Sequence, residues 1–145
     1  MLYNRIVKMA LSVLAATLVF SGVAYSQSAP PSDLEASAKG NVIHLMWKAP
    51  ESESEVTYNI YRAMAPSVDP GSSENPTIDP TKLKFAKLGT VIETTYQDKI
   101  EDVAEGGQLY VYYVVAVDNE GTESAGTNYV NVNVGVSKTQ SMNQY

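Results

Sequence analysis

A chain of 145 residues with a formal net charge of −6 and no cysteine has room for one domain plus a short appendage. Without Cys, a disulfide framework, a Cys-ligated zinc site and a cysteine nucleophile are all excluded. The acidic balance, with an isoelectric point near 4.7, argues against nucleic acid and anionic lipid as partners, because both require basic patches.

In chain order, residues 1–26 read as a cleavable export signal. Arg5 and Lys8 supply the basic region, residues 9–20 the apolar run, and Ala24-Tyr25-Ser26 the small residues a signal peptidase selects. Cleavage is expected after Ser26. The apolar run is short against the roughly 20 residues of a membrane span, so no stable membrane insertion is expected after cleavage. The expected destination is the periplasm, the cell surface or the medium. Losing Arg5 and Lys8 makes the remaining chain two charges more acidic.

Residues 27–33 form a polar, Pro-containing linker. A first short strand is expected over 34–37 with Leu34 inward, and Lys39, Gly40 and Asn41 then turn the chain. Residues 42–48 alternate: Ile43, Leu45 and Trp47 share one face, and Val42, His44, Met46 and Lys48 the other. Pro50 stops that strand. After an acidic turn bearing Glu51, Glu53 and Glu55, a third strand is expected over 56–62 with Tyr58 and Ile60 inward. Residues 63–84 then break the pattern. Pro66, Pro70, Gly71, Pro76 and Pro80 punctuate them, and the stretch far exceeds the usual connection of roughly 4–6 residues. Strands resume over 85–91 and 94–98, followed by an acidic connection. Residues 109–118 are an unbroken β-branched and aromatic run, apolar on both faces, which suits the middle of a sheet. A hairpin loop over 119–127, a last strand over 129–136 and a polar tail over 137–145 complete the chain. About seven short strands with turn signals between them and no helical periodicity predict an all-β, antiparallel, immunoglobulin-like β-sandwich.

Three blocks, in order, resemble the fibronectin type III family over roughly 31–136, and bacterial members most. Leu45-Met46-Trp47-Lys48-Ala49-Pro50 is similar to its second strand, Tyr58-Asn59-Ile60-Tyr61-Arg62 to its third, and residues 110–118 with Gly121 and Ser124 to its sixth strand and following turn. The resemblance implies a domain over 34–136, with Trp47 between the sheets and Tyr110 as the corner tyrosine bonding the connection before it. It also implies a non-catalytic binding or spacer module, with no ligand inherited from the fold. Two features depart from the family: Val103-Ala104-Glu105-Gly106-Gly107 replaces the usual Leu-x-Pro-Gly connection, and residues 63–84 form a long insertion between the third and fourth strands.

Nothing in the chain spells out catalysis. His44 is the lone histidine and falls on an outward face, and no nucleophile, metalloprotease or phosphate-loop motif occurs; no enzyme activity, cofactor or metal is expected. Acidic residues gather around Glu53, around Asp69, Glu74 and Asp79, and around Asp98, Glu101, Asp102 and Glu105. None has diagnostic calcium-loop spacing, although the Asp98 group is the best placed to converge. The informative surface is the outward set Tyr61, Val111, Tyr113, Val115, Val117 and Tyr129, which the sandwich topology places on one sheet. A large apolar patch is rarely left bare. Three occupants are open: the long segment folding back as a lid through Met64, Val68, Ile78 and Leu83, with Asp69 and Asp79 beside them; a protein partner; or a carbohydrate stacking on Tyr. The resulting expectation is an exported protein-interaction module of the cell envelope or extracellular space. The alternatives are a structural subunit of such an assembly and a carbohydrate-binding module.

Overall fold

The computed structural model describes residues 28–51, 55–66, 78–103 and 106–135. The expected signal and tail, Glu53, Val68, Asp69, Glu74 and Glu105 lie outside them. Eight strands follow in chain order: β1 (Ser32–Lys39), β2 (Val42–Lys48), β3 (Thr57–Ala65), β4 (Ala86–Val91), β5 (Thr95–Lys99), β6 (Gln108–Val117), β7 (Glu123–Gly126) and β8 (Val130–Val134). A 3-10 turn, Pro80–Lys82, precedes β4.

All pairings are antiparallel. One sheet runs β1-β2-β5, and the other runs β4-β3-β6, with β7 and β8 both on the far side of β6. The alternation in β2 does what its pattern predicts. Ile43, Leu45 and Trp47 enter the core and meet Tyr58 and Ile60 from β3, Tyr112, Val114 and Ala116 from β6, and Val132 and Val134 from β8. Trp47 packs edge-on against Tyr58 with ring centroids 5.4 Å apart. Gly40, at φ 63°, supplies the left-handed residue of the β1–β2 turn.

Several boundaries differ from the sequence expectation. β1 starts at Ser32, inside the expected linker, and runs on to Lys39. β3 continues to Ala65, three residues past its expected end, so the insertion begins later. The expected loop over 119–127 contains a strand, β7. Its short ladder to β6 is supplemented by side chains: the Ala116 amide donates to the Ser124 hydroxyl at 2.9 Å, and the Val114 amide donates to the Thr127 hydroxyl at 3.0 Å. The four residues Glu-Ser-Ala-Gly carry no apolar alternation to read.

Asn128 lies in the break between β7 and β8. Its side-chain oxygen accepts from the Leu34 amide, and its Nδ2 donates to the Leu34 carbonyl, both at 3.0 Å. One side-chain amide thus takes the place of a strand's peptide unit and ties β1 to the opposite sheet.

A second tie crosses the core. Asp98 on β5 accepts from Arg62 on β3 and from the Tyr112 hydroxyl on β6, each at 2.8 Å. Arg62 also sits 5.2 Å over the Tyr110 ring. Asp98 is therefore turned into the sandwich, while Glu101 and Asp102 are exposed. The carboxylate convergence for which the Asp98 group was the best candidate does not form among the described residues, which hold no cluster of three or more potential metal ligands. The corner hydrogen bond expected of Tyr110 would run to a connection containing residues 104 and 105, outside the described residues.

Candidate functional site: an aromatic ridge on the outer sheet face

Strand register brings the outward residues together. Tyr61 lies directly across from Tyr113, and cross-strand neighbours on one face are within side-chain reach. Their rings stack with centroids 4.8 Å apart and planes 7° from parallel. Tyr113 also meets Tyr129 at 5.5 Å. A fourth ring, Phe85, which the sequence pattern assigned only to the start of a strand, packs on Tyr113 at 4.9 Å and on Tyr129 at 5.7 Å. Gly126 lies under the Tyr113 ring; a Cβ there would stand 3.1 Å from Tyr113 Cδ2. Its lack of a side chain is what lets the ring lie across β7.

The ridge divides the face. On one side Val111 is 2% exposed, with Ala63 and Ala65 also buried; Val115, 4% exposed, lies beyond Tyr113 across from Asn59. Ile78 and Pro80 line a cavity of about 240 Å³ with Val111, Tyr129, Val130 and Asn131, so residues 78–85 lie over this part of the sheet. The turn they contain is self-supporting: Asp79 accepts from the Thr81 amide at 3.1 Å and from the Thr81 hydroxyl at 2.6 Å. Those bonds hold the Asp79 carboxyl below the usual carboxylate range. Asp79 is thus occupied in capping its own turn. Leu83 is half-buried. Met64 corrects the sequence reading: it belongs to β3, not to the loop, and is 62% exposed. Alternation turns it away from the face that holds Ala63 and Ala65.

The other side of the ridge is polar. Glu123 Oε1 accepts from the Tyr61 hydroxyl and from Asn59 Nδ2, both at 2.6 Å, and Asn59 Oδ1 accepts from the Thr90 hydroxyl at 2.6 Å. The bonds from Tyr61 and Asn59 hold the Glu123 carboxyl below its ordinary value. Reciprocally, the bond to Glu123, reinforced by burial, pushes the Tyr61 hydroxyl up to about 12. Burial raises the Tyr113 hydroxyl as well. The bond to Glu123 fixes the Tyr61 ring edge, Tyr113 is the hub that meets the other three rings, and Tyr129 remains 49% exposed.

No nucleophile–base pair accompanies this arrangement among the described residues. His44 lies on the other sheet. What the ridge offers is contact area: rigid rings with hydroxyls at their tips.

No family model matches the chain, and no curated protein sequence does. Solved structures do match in shape. The human fibronectin type III domain containing protein 3 contributes a domain that superposes with a TM-score of 0.51 at 17% identity, over 82% of this chain and 98% of that domain. Domains A168–A170 of titin give 0.54 at 18% identity over 75% of this chain, which spans only 32% of the titin fragment. A β-1,2-glucanase from Parabacteroides distasonis gives 0.52 at 22% identity over 77% of this chain, matching 13% of the enzyme. At these identities the likeness concerns fold alone. With the two-sheet topology and the inward Trp47, it establishes an all-β, immunoglobulin-like sandwich of fibronectin type III character.

Proposed function

We propose that this chain is a non-catalytic, exported interaction module, and that it meets a protein partner on the aromatic ridge formed by Tyr61, Phe85, Tyr113 and Tyr129. The observation that carries the reading is the half-exposed Tyr129 ring, buttressed by two others at 5.5 and 5.7 Å. Tyrosine is favoured at the energetic centres of interfaces, and a ring already held in place loses little entropy on binding. The order of basic, apolar and small residues over 1–26 supports export.

A photo-crosslinking residue in place of Tyr129, with a control at Lys39 on the other sheet, tests the reading in the envelope fraction of the producing cell. A defined protein adduct from position 129 and none from position 39 is expected. Equal adducts from both positions, or none from 129, would overturn it. A second reading, carbohydrate stacking, is favoured by Asn131 beside the exposed Tyr129 ring in the same cavity; retention on a glycan array without a protein adduct would select it.

A further inference from the structure

The outward face of the other sheet carries a separate constellation, independent of the ridge. Alternation along β2 sends His44 and Met46 to the same side, two residues apart. Their Cα atoms are therefore about 7 Å apart along the strand, a span that the flexible methionine side chain can close. Both line one open cavity of about 580 Å³, whose remaining wall includes Glu93, Thr95 and Gln97. Met46 is 55% exposed, so its side chain is not committed to the core. The His44 imidazole has no hydrogen-bond or ion-pair partner among the described residues. Gln97 lies directly across from His44, and Thr95 directly across from Met46.

The donor set selects a class of ion. A hard divalent cation wants six or more oxygens, and zinc wants three or four nitrogen, sulfur or carboxylate ligands. The described residues bring no three His, Cys, Asp or Glu side chains together. A neutral thioether beside an imidazole instead suits a soft monovalent cation. The geometry points to a Cu(I)-binding site on this face, with His44 nitrogen and Met46 sulfur as its two protein ligands.

The test uses Ag(I), a redox-inert ion with the same filled d shell, titrated into the exported protein while the methionine methyl and histidine ring signals are followed by NMR. Met64, 62% exposed and without a histidine two residues away, is the internal control. The Met46 methyl and the His44 ring are expected to shift together and saturate at one equivalent, before Met64 responds. Loss of either ligand, in His44→Gln or Met46→Leu, is expected to weaken binding about tenfold or more, at least the effect of losing an outer-shell partner at a metal site. Both side chains point away from the core, so the midpoint of unfolding without metal should stay in place. Competition with a Cu(I) chelator should give the same ranking of variants. Met46 and Met64 responding at the same concentration, an unmoved His44 ring, or undiminished affinity in both variants would each overturn the assignment.

Discussion

A single carboxylate, Glu123, orders much of the ridge. It is bonded by Tyr61 and Asn59 from β3 while standing on β7, so it couples strands that do not pair with one another. Its lowered pKa means that the folded state prefers the ionised form. The stability it contributes is present above the ordinary carboxylate range, about 4.3, and is lost as pH falls through the depressed folded value. Tyr61 works in the opposite direction. Its hydroxyl is raised to about 12, so its contribution is complete below the ordinary tyrosine value of about 10 and is lost as pH rises toward 12. Tyr58, Tyr112 and Tyr113 are raised as well, so in an alkaline titration followed by tyrosinate absorbance the late amplitude should fall by one hydroxyl in Tyr61→Phe, and one late hydroxyl should move to lower pH in Glu123→Gln. An unchanged late phase in Glu123→Gln would show that burial, not the carboxylate, sets the shift. None of this pairing was legible in the sequence. Residues 61 and 123 are far apart in the chain, and Glu123 fell in a stretch that read as loop.

Strands with clean alternation were readable, and strands held by other means were not. β2 and β6 carry their apolar sets at every second residue, and the structure places those residues as the pattern requires. β3 was cut short because Ala63 and Ala65 have weak strand propensity. They are small at positions where the sheet face is buried. Residues 63–84 were legible as unusual through their prolines, but the packing of residues 78–85 over Val111 was not. The missed signal was Phe85, an aromatic residue at the point where the long connection rejoins the sheet. Replacing it tests what the segment does. Phe85→Ala removes one half-buried ring from between Tyr113 and Tyr129, and should cost about 1–3 kcal/mol of unfolding free energy, measured by urea titration. Binding of a hydrophobic dye to the folded variant should rise, because the segment loses its anchor. Unaltered dye binding with a lowered urea midpoint would mean that the face stays covered without Phe85.

At the scale of the whole molecule, two polar ties among the described residues span the sandwich beside its apolar core. Arg62 continues the inward parity of Tyr58 and Ile60, so a cation was due at the core boundary. Its partner Asp98 is 36 residues away on the other sheet, beyond the reach of any local pattern. The Arg62 and Asp98 side chains are 28% and 10% exposed. Asp98 also accepts from Tyr112, whose hydroxyl is raised by burial and by that bond. Removing one partner of such a pair strands the other, whereas replacing both with apolar groups need not destabilise. Asp98→Ala should therefore lower the unfolding free energy by about 3 kcal/mol, and the triple replacement Arg62→Met, Asp98→Leu and Tyr112→Phe, which also removes the hydroxyl that donates to Asp98, should recover most of that loss in the same urea titration. A triple variant as unstable as the single one would mean that the network contributes more than the avoidance of an isolated charge.

The Asn128 tie has a mechanical consequence. β1 begins beside the start of β8, and the two strands run in the same direction, since Leu34 near the head of β1 is bonded by the residue two places before β8. The chain therefore enters at one end of this strand pair and leaves at the other. Tension applied between those points slides the two strands past each other instead of peeling them apart. Both amide bonds of Asn128 are loaded at once, together with the ladder from β1 to β2. The two Asn128 bonds thus stand in the load path between the two sheets.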